Sequence, residues 1–188
     1  MPCPRVRLAL AVTLCATAAF AQPRADATGP VDGDVAPRVV IRLADGRLLD
    51  TSTLAGRAYV LDFWHPSCGP CRGYVPRLNA AHRRLARTGA MVIGVLAGPS
   101  DGVDHARLRR AWGIRYPTGT PQGPDDQSAR YVFPRLPAMY AVGADGRIAV
   151  DARNHHRLDA LLLSDELLRV LAPRAAPPLA PPRRRRPG

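Results

Sequence analysis

Several residue types are scarce or missing in this chain of 188 residues. It has no lysine, so all 27 basic residues are arginine, and its one glutamate is Glu166. Cysteine occurs four times, too seldom for a small fold held together by disulfides. No apolar run reaches the roughly 18 residues that suggest a membrane-spanning helix. With 46% apolar and 22% charged residues, the composition excludes an integral membrane protein, a coiled coil and a fully disordered chain, and indicates one globular domain with extensions.

The first 21 residues have the three parts of a secretory signal peptide. Arg5 and Arg7 supply positive charge, residues 8–20 are apolar, and residues 19–21 read Ala-Phe-Ala, which matches a cleavage site. We therefore predict a signal peptide over 1–21, with general secretion favoured because no arginine pair precedes the apolar stretch. Two alternatives remain open, an uncleaved membrane anchor and a lipoprotein modified at Cys15.

Much of the excess positive charge lies near the two ends. Residues 173–188 are rich in Pro, Ala and Arg and predict an extended tail. Residues 22–35 predict a linker, which leaves one domain over 36–172. Residues 22–172 hold 20 arginines against 15 acidic residues, a net charge of +5 compared with +12 for the whole chain. The tail could contact envelope polyanions weakly through Arg183, Arg184, Arg185 and Arg186.

Apolar runs and turn signals divide the domain into strands and helices. An irregular loop is expected over the Pro- and Gly-rich residues 114–127. Strands are predicted in two hairpins around Asp-Gly turns and as two buried single strands: 39–43 with 48–49, 138–142 with 147–150, 58–64, and 91–97. Helices are predicted over 71–88, 103–112 and 155–171. This order indicates the α/β class, with a mixed sheet and helices on both of its faces.

After cleavage the chain would keep two cysteines, Cys68 and Cys71, in a C-x-x-C pair. Such a pair is a redox dithiol, half of a zinc site, or a coincidence. Zinc needs four ligands, and neither a third cysteine nor suitably spaced histidines are available. We therefore favour redox chemistry and expect neither a metal nor another cofactor.

The pair stands where the strand predicted over 58–64 leads into the helix predicted over 71–88. Backbone N–H groups and the dipole at a helix start lower a thiol pKa from about 8.5 towards roughly 3.5–7.5. Cys68 is thus the predicted thiolate, whereas Cys71 lies one turn inside the helix and is shielded.

The segment DFWHPSCGPCRGYVPRL, residues 62–78, resembles the active-site segment of the thioredoxin superfamily. Pro76 lies five residues after the second cysteine, as in that pattern, and Leu136-Pro137 matches a cis-proline that begins a later strand. Further pieces narrow the resemblance to exported TlpA/ResA-like thiol-disulfide oxidoreductases: Asp45-Gly46, residues 54–57, Tyr116-Pro117 and residues 145–147. The resemblance covers about residues 36–172 and implies a thioredoxin-like mixed central sheet flanked by helices, with an added N-terminal β-hairpin.

The resemblance also implies roles for residues around the dithiol. Asp62 is expected to be buried near the Cys71 sulfur, with a raised pKa that suits proton exchange. Pro137 is expected to face the dithiol and to hold the partner's backbone. The expected substrate groove consists of Trp64, Gly69, Pro70 and Leu136. The alternatives are an ordinary strand-end Asp62 and a core Trp64. His65 is expected to be simply exposed on its loop, and assistance to the Cys68 thiolate is the alternative for it.

Two positions depart from the family pattern. Ser67 stands where Trp usually precedes the first cysteine, and Leu136 stands where many exported members carry Thr. Both positions shape the surface that meets the partner, so the sequence leaves the partner's identity open.

The activity implied by the resemblance is disulfide exchange with protein thiols and disulfides. The protein is expected to be a monomer in the periplasm or on the outer face of the cytoplasmic membrane. Gly69-Pro70 resembles reductases more than oxidases, which favours a reductant, for example in cytochrome c maturation. Such a reductant needs an electron source, and a membrane-bound donor is expected.

Other function classes fit these residues less well. A thiol peroxidase would show Pro-x-x-x-Thr/Ser-x-x-Cys, but Leu61 and Trp64 occupy the two candidate proline positions. A non-catalytic binding or chaperone module on the same fold stays open. Nucleic-acid binding, which a pI of about 11.0 suggests, is disfavoured because export removes the chain from nucleic acid and no basic residues alternate with aromatic ones.

Overall fold

The structure is a computed structural model that describes residues 29–132, 134–153, 157, 159, 160, 162 and 165–171. The predicted signal peptide, the first part of the predicted linker and the arginine-rich tail lie outside the described residues. Within the described part of the chain, no helix is both long enough and apolar enough to cross a membrane.

The first predicted hairpin is present as β1 (Val40–Leu43) and β2 (Leu48–Asp50), which pair antiparallel. Gly46 has a φ of 83° in the turn, a conformation that glycine adopts without steric cost. The Asp45 carboxylate accepts a hydrogen bond from the backbone N–H of Arg47, which closes the turn. A short 3₁₀ helix, Thr51–Leu54, follows the hairpin.

Two buried parallel strands form the centre of the sheet, β3 (Tyr59–Trp64) and β4 (Met91–Leu96). All six residues of β3 are buried, as expected for a strand with neighbours on both sides and with both faces covered. The second predicted hairpin is β6 (Ala138–Val142) and β7 (Ile148–Ala152), and β6 pairs antiparallel with β3.

One strand lies inside the segment predicted as an irregular loop, and that prediction is therefore wrong in part. β5 (Thr118–Pro121) pairs parallel with β4 and antiparallel with β1. The resulting sheet order is β2-β1-β5-β4-β3-β6-β7. A Cβ at Gly119 would lie 2.1 Å from the Arg42 carbonyl oxygen, so only glycine allows this approach. The sequence TGTP carries no strand periodicity of its own. It forms a strand because it pairs with β1 and β4 on its two sides.

The first two helices are α1 (Gly69–Ala86) and α2 (His105–Trp112). α1 begins two residues earlier than predicted because Cys68 caps it and Pro70 fits its first turn. The Asp104 carboxylate caps α2 by accepting from a backbone N–H in its first turn. A second 3₁₀ helix, Ser128–Arg130, follows β5.

The single helix predicted over 155–171 is wrong. Residues 157, 159, 160 and 162 are helical, Asp165 lies in a turn, and a separate helix α3 (Glu166–Leu171) follows. The Asp165 carbonyl accepts from the Arg169 N–H, so the turn leads into α3. Aspartate favours such positions over a helix interior because its side chain competes for backbone hydrogen bonds.

The described helices pack on one face of the sheet, which corrects the expectation of helices on both faces. Side chains alternate along β3, so that Val60 packs with α1 and α3 residues on one face while Leu61 packs on the other. The second face is covered by the segments that contain the two 3₁₀ helices. Leu54 and Tyr131 from these segments are buried in the core on that face. Both layers are needed because the central strands are apolar on each face.

Part of the predicted linker packs against the domain. The Gly33 N–H donates to the Ile148 carbonyl, the Ile148 N–H donates to the Asp34 carbonyl, and Val35 forms a bridge with Arg147. These contacts give hydrogen-bond partners to backbone groups on the outer edge of β7. Described residues before 36 therefore belong with the domain, and the linker prediction is revised for them.

Candidate active site

Cys68 and Cys71 are joined by a disulfide with a Cα–Cα distance of 5.3 Å. Cys68 caps α1, and its Sγ accepts a hydrogen bond of 3.1 Å from the Cys71 N–H. Such bonds at a helix start stabilise a thiolate. Cys68 is half-buried, whereas Cys71 is only 3% exposed. Only the first sulfur is thus open to a large partner.

Residues 65–70, which we call the active-site loop, connect β3 to the first turn of α1. The Ser67 Oγ lies 2.7 Å from His65 Nδ1, and the Ser67 N–H also donates to that nitrogen. The His65 carbonyl accepts from the Cys68 N–H. Ser67 therefore occupies the Nδ1 atom of His65, a half-buried residue whose role at the sulfur stays a prediction. Gly69 and Pro70 are exposed beside Cys68.

Asp62 is buried in the middle of β3, with 2% exposure. The Tyr116 hydroxyl donates to Asp62 Oδ2 over 3.0 Å. Burial raises the pKa of Asp62 to about 7, and the Tyr116 hydrogen bond opposes that rise. The expectation of a buried Asp62 with a raised pKa is met, while its part in proton exchange stays a prediction.

Trp64, which the sequence predicts in the substrate groove, is only 2% exposed and is closed to a partner. Its ring packs in a cluster with Cys71 and Leu96, against which Cys68 also packs. Its indole N–H donates to Thr118 Oγ1 over 3.1 Å. The groove assignment is therefore corrected. Trp64 lies beneath the dithiol, where its ring packs in the core.

Gly94 of β4 makes room for this arrangement. It pairs in register with Asp62, and a Cβ there would lie 2.6 Å from Thr118 Oγ1 and 3.1 Å from the Trp64 indole nitrogen. Any larger residue would push apart the hydrogen bond between Trp64 and Thr118.

Asp62 and Trp64 alternate with Phe63 along β3, so they lie on the face that α1 covers. Cys71 on α1 and Tyr116 before β5 belong to the same face. We call Asp62, Trp64, Cys71 and Tyr116 the buried cluster. It lies beneath the active-site loop.

The bond between Leu136 and Pro137 is cis, as the resemblance predicted. Pro137 is buried and Leu136 is half-buried. Leu136 packs against the cluster that contains Trp64, Cys71 and Leu96, so this segment adjoins the dithiol.

A cleft of about 480 Å³ opens beside Leu136, at the carboxyl ends of β3 and β4. Its wall includes Phe63, Leu96, Thr120 and Tyr131. Leu136 touches both this cleft and the cluster around the dithiol.

The described residues contain no group of three or more His, Cys, Asp or Glu side chains arranged to hold a metal ion. Sequence reasoning missed Tyr116 as the partner of Asp62, and Thr118 as the partner of Trp64. Neither carries a local signal, since each is 54 residues away from its partner.

The AhpC/TSA family matches residues 33–150, more than half of the chain. Among proteins of named function, the thiol-disulfide oxidoreductase ResA of Bacillus thuringiensis subsp. konkukian is 21% identical over 141 residues, which cover 75% of this chain and 79% of that protein. ResA of Bacillus subtilis is 24% identical over 117 residues, covering 62% of this chain and 64% of its own length.

Solved structures agree on the fold. A Chlorobium tepidum protein described as a thiol:disulfide interchange protein DsbE superposes with a TM-score of 0.60 at 22% identity, covering 76% of this chain and 99% of its own. The thioredoxin domain of a thiol-disulfide oxidoreductase from Bacteroides vulgatus gives 0.60 at 20% identity, over 70% and 95% of the two chains. The chain belongs to the AhpC/TSA family within the thioredoxin superfamily, and it is a thiol-disulfide oxidoreductase, as its sequence predicted.

Proposed function

We propose that this protein is an exported reductant that passes two electrons from the Cys68 and Cys71 thiols to disulfides of other proteins. The observation that carries the proposal is the difference in exposure between the two cysteines. Cys68 is accessible at a helix start, and Cys71 is buried behind it. Disulfide exchange needs one sulfur that meets the partner and a second that resolves the intermediate.

In the first step the Cys68 thiolate attacks one sulfur of the partner's disulfide. A bond forms between Cys68 Sγ and that sulfur, the partner's own S–S bond breaks, and the second partner sulfur leaves as a thiolate that takes a proton from water. The helix start and the Cys71 N–H favour the attacking thiolate.

In the second step Cys71 resolves the mixed disulfide. Its thiol gives a proton to the Asp62 carboxylate, and the resulting thiolate attacks Cys68 Sγ. The Cys68–Cys71 disulfide forms, and the first partner sulfur leaves as a thiolate. This thiolate also takes a proton from water. A carboxyl with a pKa of about 7 suits this exchange because it is near the operating pH.

Partner contact is assigned to the accessible surface around Cys68. Gly69 and Pro70 are exposed, Leu136 is half-buried, and the neighbouring cleft offers apolar walls. Pro137 is buried, so its part is to place Leu136 and the backbone that an extended partner segment would meet. Leu136 in place of a threonine makes this surface more apolar, which favours apolar residues beside the partner's cysteine.

The reductant must itself be reduced again, and a membrane-bound dithiol donor supplies those electrons in this proposal. The predicted signal peptide supports action in the periplasm or at the outer face of the membrane, with apocytochrome c among the candidate substrates. We further propose that the protein acts as a monomer without a cofactor. Weak contact with polyanions would use Arg183, Arg184, Arg185 and Arg186.

The direction of electron flow is tested by equilibrating the protein with mixtures of reduced and oxidised glutathione. A reductant keeps its disulfide until reduced glutathione is in large excess, and it accelerates the reduction of insulin by dithiothreitol. A pair that is already half reduced at low ratios of reduced to oxidised glutathione is an oxidant, and would overturn the proposed direction.

The same assays separate the other classes. A thiol peroxidase would still consume peroxide after Cys71→Ser, because it needs one cysteine. A non-catalytic binding module would leave insulin and small disulfides unreduced. Either result would replace the proposed function while leaving the fold unchanged.

A further inference from the structure

Tyr116 is bonded to the carboxyl group at the centre of the buried cluster. Its hydroxyl donates to Asp62 Oδ2 over 3.0 Å, and the ring is only 1% exposed. The ring packs in the core with Val75 and Leu78 of α1. Because the core holds the ring, the hydroxyl is fixed against one oxygen of the carboxyl group.

The second carboxyl oxygen is free for exchange. Asp62 Oδ1 is buried, and the described residues offer it no hydrogen-bond partner. The hydroxyl of Tyr116 is a donor here, since burial and the nearby Asp62 raise its pKa well above its usual value. Oδ2 therefore already accepts one hydrogen bond, and Oδ1 is the carboxyl oxygen without a hydrogen-bond partner among the described residues.

We propose that Tyr116 is a positioning residue for disulfide exchange: its hydroxyl holds Asp62 Oδ2 and so presents Oδ1 as the proton-accepting atom for Cys71. This inference rests on the proposed function, because it assigns Tyr116 a part in the second step of that reaction. The hydrogen bond favours the charged carboxylate over the neutral acid, so Tyr116 also keeps Asp62 a usable base near neutral pH.

The strand neighbours of Asp62 in the sheet carry no charge. Met139 of β6 and Gly94 of β4 flank Asp62 in the sheet, and neither titrates. From α1, the His82 ring approaches the Tyr116 ring with centroids 6.4 Å apart, while its Nδ1 accepts from the Val92 N–H. Burial lowers the pKa of His82, which favours the neutral form of this ring. Cys71 is the remaining titratable side chain on α1 that joins the buried cluster.

The test measures the resolving step by itself. Reduced protein is mixed with dithiobis-nitrobenzoate: Cys68 forms a mixed disulfide and releases one thionitrobenzoate, and Cys71 then releases the second. Stopped-flow absorbance of the second release gives the resolving rate between pH 5 and pH 9 for the wild type, Tyr116→Phe and Asp62→Asn. Tyr140→Phe is the matched control, since it also removes a buried hydroxyl, bonded to the Val132 carbonyl.

We expect Tyr116→Phe to move the midpoint of the rate profile upward by about one pH unit, the size of shift that a lost hydrogen bond to a charged group produces. The variant is then about tenfold slower below pH 6 and equals the wild type at high pH. Asp62→Asn should remove this midpoint, and adding Tyr116→Phe to it should change nothing further. Tyr140→Phe should keep the wild-type midpoint.

An isosteric substitution guards against a folding defect. Incorporation of 3-fluorotyrosine at position 116 keeps the ring in the core and makes the hydroxyl a stronger donor, so the midpoint should move downward. Unchanged midpoints in both Tyr116 variants, with the midpoint lost in Asp62→Asn, would overturn the inference and leave the proposed function standing. A wild-type profile in Asp62→Asn would instead overturn the proton exchange by Asp62 in the proposed function.

Discussion

The active-site loop and the buried cluster beneath it are neighbours with opposite physical character. The loop, residues 65–70, is open to solvent, and its polar side chains bond to each other. The buried cluster excludes water, and there a carboxyl group has its pKa raised to about 7. One sulfur of the dithiol belongs to each region. In the proposed function this difference separates recognition from proton transfer, because a partner reaches the half-buried Cys68 and Cys71 is buried beneath it.

The difference in accessibility leads to the largest expected effect. In the reduced protein, iodoacetamide should modify Cys68 on the order of 100-fold faster than Cys71, since Cys71 needs a local opening before it meets the reagent. Peptide mapping by mass spectrometry at timed intervals measures both rates. Cys68→Ser and Cys71→Ser each keep one thiol and give the modification rate of that thiol alone. Equal rates for the two cysteines would contradict the difference in accessibility.

The buried carboxyl group should make the folded protein less stable as pH rises. The pKa of Asp62 is raised from 3.8 to about 7 in the folded state, so between these values the unfolded chain loses a proton that the folded protein keeps. The free energy of unfolding therefore falls through this window and levels off above pH 7. Asp62→Asn should lack this loss and gain about 3 to 4 kcal/mol relative to the wild type between pH 4 and pH 8.

Urea unfolding of the oxidised protein at several pH values measures this difference. The other carboxylates titrate alike in both proteins, so subtracting the two curves isolates Asp62. A difference that does not change with pH would mean that water reaches the buried cluster and that burial does not raise the pKa of Asp62.

A carboxylate outside the cluster should behave in the opposite way. Asp50 pairs with Arg38 at 2.6 Å, and the hydrogen bond from Arg38 lowers the pKa of Asp50 to about 2. Its contribution is present above pH 4 and is lost as pH falls towards 2. Because the pair is partly exposed and screened, Asp50→Asn should cost about 1 kcal/mol above pH 4, and the same urea curves should converge with those of the wild type near pH 2.

The smallest effect is expected within the active-site loop. His65 is bonded to Ser67, so His65→Ala should change the insulin reduction rate by less than about twofold, whereas a group that transfers protons contributes roughly 10²- to 10⁴-fold. Ser67→Ala, which removes the partner of that imidazole, is the matched control. A loss of tenfold or more in His65→Ala alone would place His65 in the chemistry.

The elements that could be predicted from the sequence are those with local signals. The hairpins carry Asp-Gly turns, and β3 and β4 are unbroken apolar runs, so their positions were confirmed within about two residues. β5 has no such signal: its four residues are held by backbone bonds to β1 and β4. Its register depends on how distant segments meet in space, which periodicity does not record.

The same distinction applies to the site. Cys68, Cys71 and Asp62 stand together in one motif, and the expected cis bond before Pro137 depended on a family resemblance. The hydrogen bond from Tyr116 to Asp62 joins residues 54 positions apart, and only the fold brings them together. Trp64 lies beneath the dithiol and outside the groove because Leu96 and Thr118, which are distant from it in sequence, enclose its ring.

The division of labour between the two sulfurs is tested most directly by trapping partners. Reduced Cys71→Ser and Cys68→Ser forms of the protein are incubated with insulin whose disulfides are intact. The mixtures are quenched with acid and analysed by mass spectrometry without reductant. A mixed disulfide between Cys68 and an insulin chain should accumulate in Cys71→Ser, and none should form in Cys68→Ser. Trapping in equal amounts on both variants, or in neither, would contradict the account.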